Sequence, residues 1–174
     1  FDSTDLLQLY FQRCEAQYEL ASQDRSIYPI LENWCTQQLT KQHPNLIQLT
    51  LEFYKVLSAP PKNHASVQLE SMLNRFTVED KNGSRTAQLL YSSVLQTFAN
   101  KATIEKIPQA DQYFRDRMDE ANQIKTRIGD VQGIAMNRGI TGNFYLFTKQ
   151  DSATALELYQ EDLEVVKENN LISD

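Results

Sequence analysis

The sequence predicts an all-α chain built from stacked antiparallel helical hairpins, and three observations carry that expectation. Apolar residues recur at i, i+3 and i+4 in nearly every stretch, with no sustained β-type alternation. Five Gly and five Pro in 174 residues are too few for a many-turned β-sandwich. Gln, Leu, Glu and Ala, all good helix formers, are abundant instead. A hydrophobic content of 41% is enough for one sizeable core or a short stack of repeated units.

The elements follow in order. Leu6, Leu7, Leu9, Tyr10, Cys14, Tyr18 and Leu20 predict a first helix over 4–22, capped by Ser3 or Thr4. A polar turn, 22–26, leads to a second over 28–41, whose stripe is Tyr28, Ile30, Leu31, Trp34, Cys35 and Leu39. The third opens at His43-Pro44-Asn45 and runs until Pro60-Pro61 stop it. Val67, Leu69, Met72, Leu73 and Phe76 predict a fourth over 64–77, before an Asn82-Gly83 turn. Ser84 is placed to cap a fifth over 84–100, carrying Leu90, Tyr91, Val94, Leu95 and Phe98. A linker with Pro108 precedes a sixth over 109–128, with the stripe Ala110, Phe114, Met118, Ala121, Ile124 and Ile128. Gly129 at the C′ position ends it, because glycine tolerates the left-handed conformation found there. The seventh and eighth span 131–147 and 152–169. Eight helices pair into four hairpins.

Charge and motif content exclude several function classes. A net charge of −6 argues against nucleic acid, whose phosphates require clustered Lys and Arg. The charge is uneven: residues 101–149 carry eight basic and six acidic side chains, whereas 150–174 carry seven acidic against Lys167 alone. A solvated helix face accounts for such a run. No apolar run approaches the roughly 18 to 20 residues needed to cross a bilayer, and no signal-like segment opens the chain, so a cytoplasmic protein with no membrane partner is expected. Phe1 stands where an initiating Met would, which reads as a fragment or a processed form of something longer.

No catalytic, metal or cofactor site is expected. Cys14 and Cys35 lack CxxC spacing and nearby His, and read as free thiols. His43 and His64 both fall at helix starts, as loop or cap residues. Glu15 and Glu19 stand one turn apart without an ExxH partner and read as a surface pair. HExxH, GxSxG and GxxxxGK[ST] are missing from the sequence, and Gly139 and Gly142 lie inside a helix pattern with no preceding strand. Asn82-Gly83-Ser84 fits a glycosylation acceptor, but the turn and cap explain it without secretion.

The hairpins begin near residues 4, 44, 84 and 130, a spacing of about 40, 40 and 46 that falls near the range of stacked helical repeats. Residue identities sharpen this over 129–169. Gly142 and Ala155 allow two backbones to approach, and Tyr145 and Tyr159 fill the groove beside them. With Gly129, Asp130, Gly133, Ala135, Asn143 and Leu163, these residues resemble the tetratricopeptide repeat of the long-helix type, which reads like GDxxGxAxxxxxxGNxY followed by AxxxYxxxL. Phe114, Met118 and Ala121 stand 41 positions before Ala155, Tyr159 and Asp162 and extend the likeness. Departures are Arg138 and Thr141, where the family usually has large apolar residues, Asp162, where it has Ala, and a last loop one residue longer. Residues 1–83 keep the hairpin rhythm without the signature, so one helical-repeat domain over 1–174 is expected, divergent over 1–83 and tetratricopeptide-like over 84–174.

The resemblance implies a right-handed superhelix whose concave groove binds a peptide or protein as a scaffold or adaptor, not an enzyme. Its groove-facing positions correspond here to Met136, Gly139, Asn143, Leu146 and Phe147. Asn143 stands out because an amide both donates and accepts toward an extended backbone. Arg138, with Lys149 beyond it, could grip an acidic group, or its stem could cover apolar surface. A peptide-sensing regulatory domain attached to an effector or DNA-binding part is the second reading, and an unrecognised helical enzyme the third.

Overall fold

A computed structural model describes residues 44–58 and 64–168. Helices expected over 4–22 and 28–41, with Cys14, Cys35, Glu15 and Glu19, lie outside the described residues, as do His43 and the Pro60-Pro61 turn. All the regular structure among the described residues is helical: α1 (Pro44–Ser58), α2 (Ala65–Leu73), α3 (Val78–Asn82), α4 (Arg85–Ile104), α5 (Ala110–Ile128), α6 (Val131–Asn143), a π-helical segment (Phe144–Lys149) and α7 (Ser152–Glu168). The chain divides into two compact units, Phe1–Val94 and Leu95–Asp174, with the division falling inside α4.

In the first unit α1 packs against α2. Its core is formed by Leu46, Ile47, Leu49, Phe53 and Tyr54 of α1 with Leu69, Met72 and Leu73 of α2. Arg75 ties the two helices together: its guanidinium pairs with Glu52 at 2.5 Å, and its carbonyl accepts from Asn45 Nδ2 at 3.2 Å. The helix expected over 64–77 ends at Leu73, and a separate short helix, α3, follows it. Thr77 is the reason, because its hydroxyl accepts from the Asp80 amide while the Asp80 carboxylate accepts from the Thr77 amide, a capping box that starts α3 afresh. Between the two helices Phe76 is buried, its ring 5.0 Å from that of Tyr91. Ser84 caps α4 as its position predicted, accepting from the Ala87 amide at 3.2 Å.

In the second unit α4 continues one turn past the expected end, to Ile104, because Ala99 and Ala102 stay fully buried there. The core gathers Ala99, Phe114, Met118 and Phe144, with Ile140 and Tyr145 against them. Phe114 and Phe144 stack with centroids 4.0 Å apart and planes within 11°. The α5 stripe read from the sequence is the buried one at Phe114, Met118, Ala121 and Ile124. Gly129 closes α5 in the left-handed conformation, φ 69°; its amide bonds to the Thr126 carbonyl and that of Asp130 to the Lys125 carbonyl, the paired bonds of a Schellman end.

Candidate functional site

The α6–α7 hairpin begins at Asp130, whose carboxylate accepts from the Gly133 amide at 3.0 Å and so satisfies one orphan N–H of the helix start. The other carboxylate oxygen faces Lys125 Nζ at 3.3 Å. Only 3% of the Lys125 side chain is exposed. Burial pulls its ammonium below the ordinary lysine value, and the Asp130 charge and hydrogen bond oppose that. Gly133 is required by this pair: a Cβ there would meet the Asp130 carboxylate and stand 2.5 Å from Lys125 Nζ. The Gly129-Asp130-x-x-Gly133 spacing thus encodes a helix stop, a helix cap and room for a buried ion pair.

Across the hairpin, residue pairs fix an antiparallel register. A Cβ on Gly142 would lie 2.5 Å from Tyr159 Cε1, and one on Gly139 would lie 3.6 Å from Asp162 Oδ2. As the position on α6 falls, its partner on α7 rises. Gly142 therefore exists to receive the Tyr159 ring, whose hydroxyl donates to Asn143 Oδ1 at 2.7 Å. Arg138 Nε lies 3.8 Å from Glu161. Arg138 Nη1 and Asp162 Oδ1 are buried without hydrogen-bond partners, and burial pushes the Asp162 carboxyl up against the opposing pull of Arg138. Arg138 therefore lies beside two acidic side chains of α7, Glu161 and Asp162.

The α-helix expected to run to 147 stops at Asn143 and widens into the π-helical segment. In an α-helix Phe144 and Phe147, three apart, would share a face. In the wider turn each residue advances by a smaller angle, which parts the two rings. Phe144 stays buried on Phe114 while Phe147 is 74% exposed. Gln150 ends the segment in the left-handed conformation, φ 56°. Asp151 then caps α7, accepting from the Thr154 amide and hydroxyl, and these bonds hold its carboxyl below the usual range. Lys149 pairs with Asp111 and lies 5.3 Å from the Phe144 ring centroid, which anchors the end of the segment to α5.

Of the residues singled out by sequence, Met136, Asn143 and Phe147 are exposed, and Met136 and Asn143 stand seven apart on one face of α6. Met136 is 54% exposed. Gly139 and Leu146 are half-buried, Gly139 beside Asp162. The Asn143 side-chain oxygen already accepts from the Tyr159 hydroxyl, which leaves the NH2 group as the part of the amide that this bond does not use. Sequence reading passed over Asn137, fully buried on α6, whose Nδ2 donates to Asn122 Oδ1 at 2.7 Å. It also passed over Lys125, four residues after Ala121 on the α5 stripe, a spacing that could have flagged it. No helix among the described residues is long and apolar enough to cross a membrane. Comparison of the chain with protein-family models, with curated proteins and with solved structures finds no match.

Proposed function

We propose that the chain is a tetratricopeptide-like helical-repeat module that binds a protein or peptide along the exposed face of α6 and the π-helical segment. One observation carries the reading: the large apolar side chains of Met136 and Phe147 stand in solvent on either side of exposed Asn143. Exposed apolar groups grouped around a polar anchor are typical of recognition surfaces. The antiparallel register at Gly142 and Tyr159, and the helix stop and cap at Gly129 and Asp130, support the repeat reading, because they give the signature residues the packing duties that such repeats need. The π-helical turn supports the site, since such turns are common at functional positions and this one turns Phe147 outward.

The experiment captures partners on the immobilised 174-residue chain and measures their affinity for variants. Met136→Lys and Asn143→Ala should each weaken a captured partner by about tenfold, as loss of a central contact does. Met136 is exposed, so its replacement should change stability by no more than about 0.5 kcal/mol, and Asn143→Ala, which also loses the bond from Tyr159, should cost no more than about 1.5 kcal/mol. Unchanged affinity in both variants, with the fold intact, would remove Met136 and Asn143 from the binding surface.

A further inference from the structure

The outer face of α7 has a composition of its own. Leu156 is 56% exposed and Leu163 46%, and Gln160 between them completes an i, i+4, i+7 stripe that α6 does not cover. Each stripe residue is followed by an acid: Glu157, Glu161 and Glu164, all exposed. Glu161 is engaged by Arg138, whereas Glu157 and Glu164 have no ion-pair partner among the described residues. We propose that this face docks an amphipathic helix of a partner protein, with apolar residues seated on Leu156 and Leu163 and Lys or Arg residues set against Glu157 and Glu164.

Spacing favours a helix over an extended peptide. Leu156 and Leu163 are about 10.5 Å apart along the axis at 1.5 Å per residue. A partner helix laid alongside offers side chains at the same i, i+7 interval, so ridges and grooves coincide over two turns. An extended strand repeats a face about every 7 Å, out of step with the two leucines. Glu157 and Glu164 share the seven-residue interval, so basic residues seven apart on the incoming helix meet both.

Charge decides among the other occupants. A second copy of the chain meeting this face with its own would set Glu157 and Glu164 against their own kind. Anionic lipid and nucleic acid carry the same sign and are repelled. A cationic helix is attracted, and the leucines keep it once it arrives. The inference extends the reading above to the adjoining helix and to the chemistry of its partner, and either can fail alone.

The test uses the 174-residue chain and three fluorescent peptides of about 18 residues, long enough for five helical turns. One has a Leu stripe with Lys flanks, one the same stripe with Glu flanks, and one the Lys flanks with Ser in place of Leu. The Leu/Lys peptide should bind at least about tenfold more tightly than either other, because apolar and charged contacts are both needed. Glu157→Lys/Glu164→Lys should weaken it by about tenfold, whereas Asp116→Lys/Asp119→Lys, the same charge change on exposed α5 positions, should weaken it by less than about twofold. Equal binding of the three peptides, no binding of the Leu/Lys peptide, or equal loss in the two charge variants would overturn the inference. Loss on Met136→Lys with none on Glu157→Lys/Glu164→Lys would place the peptide on α6, overturning this inference while sustaining the reading above.

Discussion

Replacing Phe114 with alanine is expected to destabilise the second unit by about 3–5 kcal/mol, the cost of emptying a fully buried aromatic site. Phe114 is 2% exposed and touches the parts of the unit that the hairpin depends on, with Ala99 of α4 and the Phe144 ring among its neighbours. Its removal therefore leaves the π-helical segment without the surface on which it rests. Urea titration followed by circular dichroism checks the loss. The stacked geometry makes a second demand: Phe114→Ala and Phe144→Ala combined should cost less than the sum of the two, by about 0.5–1.5 kcal/mol. A loss below about 1 kcal/mol, or strict additivity, would mean that the stack does not hold α5 to the segment.

Asp130→Ala should cost about 3 kcal/mol through two separate effects, one cap bond and one stranded cation. The first is the bond to the Gly133 amide. The second is Lys125, which would keep its burial and lose its counter-charge. The pH dependence separates them. The folded value of Lys125 already lies below the ordinary 10.5, because burial outweighs Asp130. Without Asp130 it falls further. Between the folded value and 10.5 the unfolded chain holds the proton and the folded chain does not, so stability rises with pH across that window. The gap between wild type and Asp130→Ala should be widest below the variant's folded value and should shrink as the pH approaches 10.5, leaving the cap term. Adding Lys125→Met to Asp130→Ala should recover the Lys125 part at neutral pH, since an apolar chain of similar size can occupy the site. A gap that is constant with pH and unmoved by Lys125→Met would mean that Lys125 is not held as a buried cation.

Much of the second unit was legible because its signals are local. Gly129, Asp130 and Gly133 are punctuation, and a helix stop and cap need only neighbours within a few residues. The α5 stripe from Phe114 to Ile124 is set by periodicity, and periodicity survives in sequence. What escaped depends on contacts far along the chain. The π-helical turn opens at Phe144, whose ring stacks on Phe114 thirty residues away, and no window of neighbours contains that contact. Asn137 reads as a polar helix residue until Asn122 is seen opposite it. The fresh start at Thr77 could have been read, since Thr77 and Asp80 stand at capping-box spacing, but the apolar run through Phe76 carried the expected helix past its end at Leu73.

The site divided along the same line. Sequence resemblance supplied Met136, Asn143 and Phe147, and burial leaves all three in solvent. It could not tell that Tyr159 would occupy the Asn143 carbonyl or that Arg138 would turn to Glu161, because both depend on the register of the hairpin. The α7 face was visible only as an acidic run. The leucines that give it a direction emerge once the buried side of the helix is known from Ala155.

Amide hydrogen exchange on the chain alone and with a captured partner tests the central claim most directly. Binding along α6 and the π-helical segment predicts slower exchange across 136–149, with the α5 amides unchanged. Slowing confined to 44–82, with 136–149 exchanging as in the free chain, would contradict it.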